Sequence, residues 1–310
     1  MSAAVVGNAA WAGAAPSLSV LTPFLRDDPS DLLERLETEA PALGGGMEVV
    51  LLDDGTADAE LTARLTALIR RMTLPARLIT LAANEGRAPG RNRLAAAARG
   101  EALLFLDSDM RPDSPHFLQD WAALVRRERP AVAFGGFSLL QAPDAPRFAV
   151  HRALAAKSEC VPSAERAKQP AKYVYTSNLL VRRDVFEAEA FDPGFTGWGW
   201  EDVEWAIRVA RRFPVLHVDN PATHMGLDTV PALAAKYEQS APNFGRMAAR
   251  HPEIVAAYPS YRAARLLRRL PALRPLRSLL KRAATAEWLP TAARAFSLRL
   301  YRAALYAEAV

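Results

Sequence analysis

The sequence predicts an α/β protein with a mostly parallel central sheet, helices on both faces of that sheet, and a basic helical tail. Three observations carry this. Short, nearly continuous apolar runs alternate with segments of helical periodicity, the pattern of strands buried on both faces. Some of those runs stop abruptly at carboxylates, most clearly in Leu103-Leu104-Phe105-Leu106-Asp107-Ser108-Asp109. Half of the 310 residues are apolar, enough for a substantial core in one large domain or two smaller ones.

Residues 1–16 read as a loose, Ala-rich lead-in. The first strand is Leu18-Ser19-Val20-Leu21, stopped by Thr22-Pro23. A helix begins near Ser30 with Leu32, Leu33 and Leu36 on one face. The strand 47–52 ends in Asp53-Asp54-Gly55-Thr56, and helix 61–72, strand 76–81, helix 89–98 and strand 102–106 follow. Ligands of such sheets bind at the carboxyl ends of the strands. Thr22, Pro23, Asp53, Asp54, Asp107 and Asp109 fall there. In the second half, 175–183 reads as a strand, 191–195 as a loop, and 198–208 as a turn feeding a helix whose buried stripe is Val203, Ile207 and Ala210. The strand 215–218 and a helix over 237–250 complete a domain spanning 17–255, in two halves at 17–140 and 141–255.

The net charge of +5 is unevenly distributed: residues 261–310 hold eleven Lys or Arg against Glu287 and Glu308, a net +9 that leaves −4 elsewhere. In the tail, 256–310, leucines recur at near-helical spacing among the arginines, and Pro271, Pro275 and Pro290 break the run. Two readings fit: short amphipathic helices suited to an anionic membrane surface, or leucines docked on the domain with arginines facing water. Nucleic acid is not expected, because stacking aromatics are sparse and no recognition motif appears. A lone cysteine, Cys160, precludes an intrachain disulfide and a zinc–cysteine site. With no membrane-spanning run and no secretory signal pattern, the expected location is cytoplasmic, peripheral on the inner face of the membrane if the tail binds lipid.

Carboxylates at a strand's end make a hard oxygen site, suited to Mg²⁺ or Mn²⁺ carrying a substrate phosphate. Asp53 and Asp54 could equally be turn residues before Gly55. The order Ser-Val-Leu-Thr-Pro, Val-Val-Leu-Leu-Asp-Asp-Gly-Thr, Asn84-Glu85-Gly86, Pro89-Gly90-Arg91-Asn92 and Arg99-Gly100-Glu101 leading into Phe-Leu-Asp-Ser-Asp closely resembles family 2 glycosyltransferases of the GT-A fold over residues 17–225. The resemblance implies that Asp53 or Asp54 holds a uracil-like base and that Arg91, with Arg87 or Arg93 as substitutes, approaches the diphosphate. It also implies that Asp107 and Asp109 together bind ribose and metal, Asp109 as the direct metal ligand and Asp107 nearer the ribose.

A second acidic cluster lies in Gly197-Trp198-Gly199-Trp200-Glu201-Asp202. Carboxylates in a first helical turn are favoured by the helix dipole alone. Here they follow two tryptophans, whose faces stack on sugars, and two glycines, which let a backbone approach a ligand. The segment resembles the acceptor motif of inverting galactosyl- and N-acetylgalactosaminyltransferases and chondroitin-type polymerases, with departures at Trp200 and Val203. That resemblance implies Trp198, Trp200 and Glu201 at the acceptor, Asp202 as catalytic base with Glu201 orienting the acceptor hydroxyl, and His224 completing the coordination of Mn²⁺ (or Mg²⁺). The expected activity is inverting, metal-dependent transfer of a hexose or N-acetylhexosamine from a nucleotide sugar, UDP-linked, to a glycan or glycolipid hydroxyl in surface polysaccharide synthesis. The rivals are a non-catalytic nucleotide- or carbohydrate-binding protein on the same scaffold, and a sugar-1-phosphate nucleotidyltransferase. The latter should carry a Gly-rich basic loop where Thr22-Pro23-Phe24-Leu25-Arg26-Asp27-Asp28 stands.

Overall fold

The computed structural model describes residues 3–310. Its strands are β1 (Ala4–Gly7), β2 (Leu18–Phe24), β3 (Met47–Asp53), β4 (Ala76–Thr80), β5 (Ala102–Leu106), β6 (Met110–Pro112), β7 (Val132–Phe134), β8 (Phe137–Ser138), β9 (Asn178–Arg182), β10 (Val215–His217) and β11 (Ala222–His224). Eight of them form the main sheet in the order β1-β4-β3-β2-β5-β9-β7-β10. The pairs β4-β3, β3-β2, β2-β5 and β7-β10 are parallel, while β1 and β9 run antiparallel to their neighbours.

Alternation along the strands divides the core between two faces. Val20, Val49, Leu51, Leu104 and Leu106 meet the helices Ser30–Glu39, Ala59–Arg71 and Phe117–Glu128. Leu21, Val50, Leu52, Leu103 and Phe105 meet the helix Arg87–Ala97 and Trp205 of the helix Glu201–Ala210. Strand β2 runs through Pro23 instead of ending before it. Pairing with β5 stops at Leu21, so there the strand has β3 alone as a neighbour and the missing N–H breaks no ladder on the other side.

The expected loose lead-in is instead part of the domain: β1 adds an edge strand to β4. The Asn8 side chain ties it down, donating to the carbonyls of Met72 at 3.0 Å and Leu74 at 2.7 Å. Trp11 is buried between the guanidiniums of Arg77 and Arg99, at 4.2 and 3.9 Å from its ring.

The tail divides between the two expectations for its leucines. Its helices are Pro259–Leu267, Leu273–Thr285 and Thr291–Tyr306. Leu280 and Leu298 are buried against Leu233 and Tyr237 of the helix Val230–Arg250, with Leu273 and Leu276 packed alongside. Leu266, Leu270 and Leu279 stay exposed, as do Trp288 and Phe296. No described helix is long and apolar enough to cross a membrane.

Candidate active site

A small second sheet, β6-β11-β8, builds the first half of the site. Its antiparallel register sets His224 opposite Met110, the residue after Asp109. Asp109 Oδ2 and His224 Nε2 are 3.1 Å apart, and the Asp109 carbonyl accepts from the Met225 N–H. Gly226 closes the turn without a side chain: a Cβ there would overlap the Asp109 carboxylate, 2.9 Å from its Cγ. Burial opposes ionisation of Asp109, but His224, Lys236 and Arg87 outweigh it and hold its pKa below the ordinary value. Burial likewise opposes the His224 imidazolium, and the facing Asp109 overcomes it, raising that pKa to about 9. The donor set of a carboxylate, an imidazole and a cradle kept open by Gly226 fits a divalent cation such as Mn²⁺. His224 Nδ1 is buried with no partner among the described residues, so nothing in the protein claims the ring's second nitrogen.

His151 and Glu159 also face His224, their ligand-type atoms lying within 4.8 Å of one another and of the His224 ring. His151 is nonetheless a poor metal ligand. Its Nδ1 accepts the Asp228 N–H at 2.7 Å, which leaves Nε2 carrying the proton as a donor. Burial, then the neighbouring His224, depresses its pKa to about 4, so the ring is neutral.

Asp107 is held on both sides. Oδ1 accepts from Arg91 Nη2 at 2.7 Å and Oδ2 from the Ser177 hydroxyl at 2.9 Å. Arg91 is 1% exposed, a buried brace between Asp107 and Glu201 rather than a group free to meet a diphosphate. One helical turn earlier, Arg87 is partly open to solvent, 2.5 Å from Glu201 Oε1 and 3.8 Å from Asp107 Oδ2. Burial alone would lower its pKa, but those two carboxylates raise it above the ordinary guanidinium value. Arg93, the other substitute, pairs with Glu85 on the surface.

Of the two strand-end carboxylates, Asp54 spends both oxygens on the neighbouring loop, accepting from the N–H groups of Glu85 at 2.7 Å and Gly86 at 3.0 Å and from Asn84 Nδ2. Asp53 caps its own turn through Oδ1, 2.8 Å from the Thr56 N–H, and its Oδ2 has no partner among the described residues. Thr22 is fully buried beside them, its hydroxyl also unpartnered, while Pro23 is half-buried.

The second half of the site is the start of the helix Glu201–Ala210. Gly197, Gly199 and Trp200 all have positive φ, a strained path for Trp200 at +76°. The path turns Trp200 away from the acceptor face expected of it: its ring packs 4.9 Å from Phe244 and its Nε1 donates to the Tyr306 hydroxyl at 3.0 Å. Trp198 remains half-buried against Tyr237, with the Lys236 ammonium 6.0 Å from its ring. Glu201 is buried and accepts from Arg87 Nε. Asp202 keeps solvent access. Burial, reinforced by the adjacent Glu201 charge, pushes its pKa up to about 7 against the pull of Arg87 and Arg91.

Sequence reasoning missed His151, Glu159 and Lys236, which reach the site from distant segments with no local motif. Arg91's brace was readable: Ala88, Arg91, Leu94, Ala95 and Ala98 form one buried helical stripe, and Arg91 lies within it.

A sheet with carboxylates at its strand ends, an Asp-His pair beside them and an acidic helix start across the cleft defines a GT-A glycosyltransferase. The chain belongs to glycosyl transferase family 2, whose model matches residues 19–189, more than half of its length. Among solved structures it resembles the mannosyltransferase PcManGT from Pyrobaculum calidifontis, solved with GDP-Man and Mn²⁺, at 16% identity and a TM-score of 0.57, covering 96% of this chain and 88% of that one. It also resembles glucosyl-3-phosphoglycerate synthase from Mycobacterium tuberculosis, solved with Mn²⁺, UDP and glucosyl-3-phosphoglycerate, at 19% identity and a TM-score of 0.52, covering 78% and 82% of the two chains. At such identities the likeness concerns the fold. No curated protein matches the sequence.

Proposed function

We propose that the protein is an inverting, metal-dependent transferase that moves a hexose or N-acetylhexosamine from a UDP-sugar to a hydroxyl of a glycan or glycolipid in surface polysaccharide synthesis. The observation that carries this reading is the Arg87–Arg91 pair, which ties Asp107 on the donor side to Glu201 beside Asp202. Asp53, with Thr22, meets the nucleobase through its free oxygen, and Asp107 meets the ribose. Asp109 and His224 would hold Mn²⁺ (or Mg²⁺), whose charge offsets that of the leaving diphosphate. Arg87, the open member of the pair, replaces Arg91 as the cation that meets the same developing charge. Asp202 accepts the proton of the acceptor hydroxyl as that oxygen bonds to the anomeric carbon. The bond to the diphosphate breaks on the opposite face, so configuration inverts. Trp198 offers the acceptor sugar a stacking face.

Contact with an anionic membrane surface is part of this reading. It is supported by the exposed Leu266, Leu270, Leu279 and Trp288 among Arg265, Arg269, Arg274 and Arg282, which have no acidic partner among the described residues.

The test is nucleoside-diphosphate release from a panel of UDP- and GDP-sugars with Mn²⁺, Mg²⁺ or EDTA and mixed glycan acceptors. The expected result is metal-dependent turnover of one UDP-sugar, abolished by Asp109→Ala and Asp202→Asn, with UDP binding retained by Asp202→Asn. UDP binding without turnover of any donor would favour a binding scaffold.

A further inference from the structure

The tail helix Thr291–Tyr306 reaches the acceptor side of the cleft. Tyr306 stacks on Phe244, with ring centroids 4.2 Å apart and planes 18° from parallel, and its hydroxyl receives Trp200 Nε1 and meets Ser240 Oγ at 2.9 Å. Arg302 lies four residues earlier, on the same helix face. Its guanidinium sits 5.1 Å from the centre of the Tyr237 ring, the ring that packs on Trp198. The same tail helix packs on Val150 and Leu154 of the helix Ala149–Ser158, which carries His151 to the side of His224. Arg302 therefore stands beside Tyr237, the ring that backs Trp198, the proposed acceptor platform.

Arg302 is half-buried, yet no carboxylate lies within ion-pair distance and none of its N–H groups has a hydrogen-bond acceptor among the described residues. Arg302 lies against the face of Tyr237, which attracts its charge but accepts no strong hydrogen bond. Lys236, the other cation near Trp198, is already paired with Asp228 at 2.6 Å. A planar fork of unfilled donors matches the geometry of an oxyanion.

We propose that the acceptor carries an anionic group, a phosphate or a carboxylate, close to the hydroxyl that is glycosylated, and that Arg302 binds it. The proposal rests on the transferase reading of the site and assigns the tail a part in recognising substrate. It also accounts for the Gly-Trp-Gly-Trp segment, in which Trp198 lines the cleft while Trp200 fixes the helix that delivers Arg302.

The experiment first measures UDP binding in the presence of Mn²⁺ by calorimetry. It then titrates the UDP·Mn²⁺ complex with glycerol 3-phosphate, glycerate and glycerol, in the native protein and in Arg302→Gln and Arg302→Lys. At least one anionic probe should bind ten-fold or more tighter than glycerol. Arg302→Gln should erase that preference with UDP affinity unchanged, and Arg302→Lys should keep part of it; which probe is preferred separates phosphate from carboxylate. Equal binding of all three probes, or a preference that survives in Arg302→Gln, overturns the proposal while leaving the transferase reading intact. Failure of UDP to bind overturns both. Should Arg302→Gln not fold, the native comparison of charged and neutral probes and the Arg302→Lys variant still decide.

Discussion

If Asp202 is the base, the rate must depend on a carboxyl whose pKa lies near 7 rather than 3.8. The physical cause is its place in the cleft: burial first, then the Glu201 charge beside it, with Arg87 and Arg91 opposing. Only the anion can accept a proton, so kcat/KM should rise with unit slope below about pH 7 and level off above it. At pH 6 the rate should be roughly ten-fold below the plateau. Asp202→Asn should lose about 10²–10⁴-fold and flatten what remains of the profile. A native profile flat from pH 5.5 to 8.5, or an Asn variant within ten-fold of native, would refute the assignment.

The same shift predicts a stability effect of opposite sense to the catalytic loss. The folded state holds the Asp202 proton more tightly than the unfolded chain, so this residue's contribution is most favourable below pH 3.8 and declines as pH rises through about 7. A change from 3.8 to about 7 corresponds to an upper bound of roughly 4 kcal/mol. Partial solvent access screens the charge, and ~1–2 kcal/mol is the expectation. Urea denaturation should find Asp202→Asn more stable than the native protein at pH 8, with the difference shrinking as pH falls toward 4. An Asn variant no more stable at pH 8 would mean that the site does not strain this carboxylate.

Three further outcomes are expected. Gly226→Ala drives a methyl group into the Asp109 carboxylate, so Mn²⁺ affinity by paramagnetic resonance should fall about ten-fold or more while the melting temperature moves little; unchanged affinity would remove Asp109 from the metal site. Arg91→Met strips the counter-charge from buried Glu201 and from Asp107 and should cost about 3–5 kcal/mol in urea denaturation, whereas a loss below 1 kcal/mol would mean that Arg91 is not their brace. Trp200→Ala should cost about 3 kcal/mol and make residues 256–290 readily cleaved by trypsin, because it removes the ring and the hydrogen bond that hold Tyr306; resistance equal to the native protein would show the tail to be held elsewhere.

The first half of the sheet was legible because its signals are local. A strand buried on both faces must be apolar along its length, and its first carboxylate marks the sheet's edge, so Asp53, Asp107 and Asp109 could be placed from sequence alone. The partner each acid would choose was not legible. Asp53 and Asp54 are adjacent and chemically identical, yet loop 84–86 folds back to occupy both oxygens of one and leaves an oxygen of the other open. Arg87 and Arg91 share a helix face, and their division into an open cation and a buried brace follows from helix phase, a signal present in the chain but secondary to the motif beside it. The N-terminal strand escaped because four residues of AVVG have little preference until Asn8 and Trp11 find partners more than sixty positions away. Trp200 is the most instructive case. Its motif suggested two equivalent sugar platforms, whereas the positive φ at Gly199 and Trp200 sends one ring onto Tyr237 and the other onto Phe244 and Tyr306. A short motif records which groups a site needs; which of them face the ligand is decided by whatever packs behind them, and here that is a helix ending more than one hundred residues later.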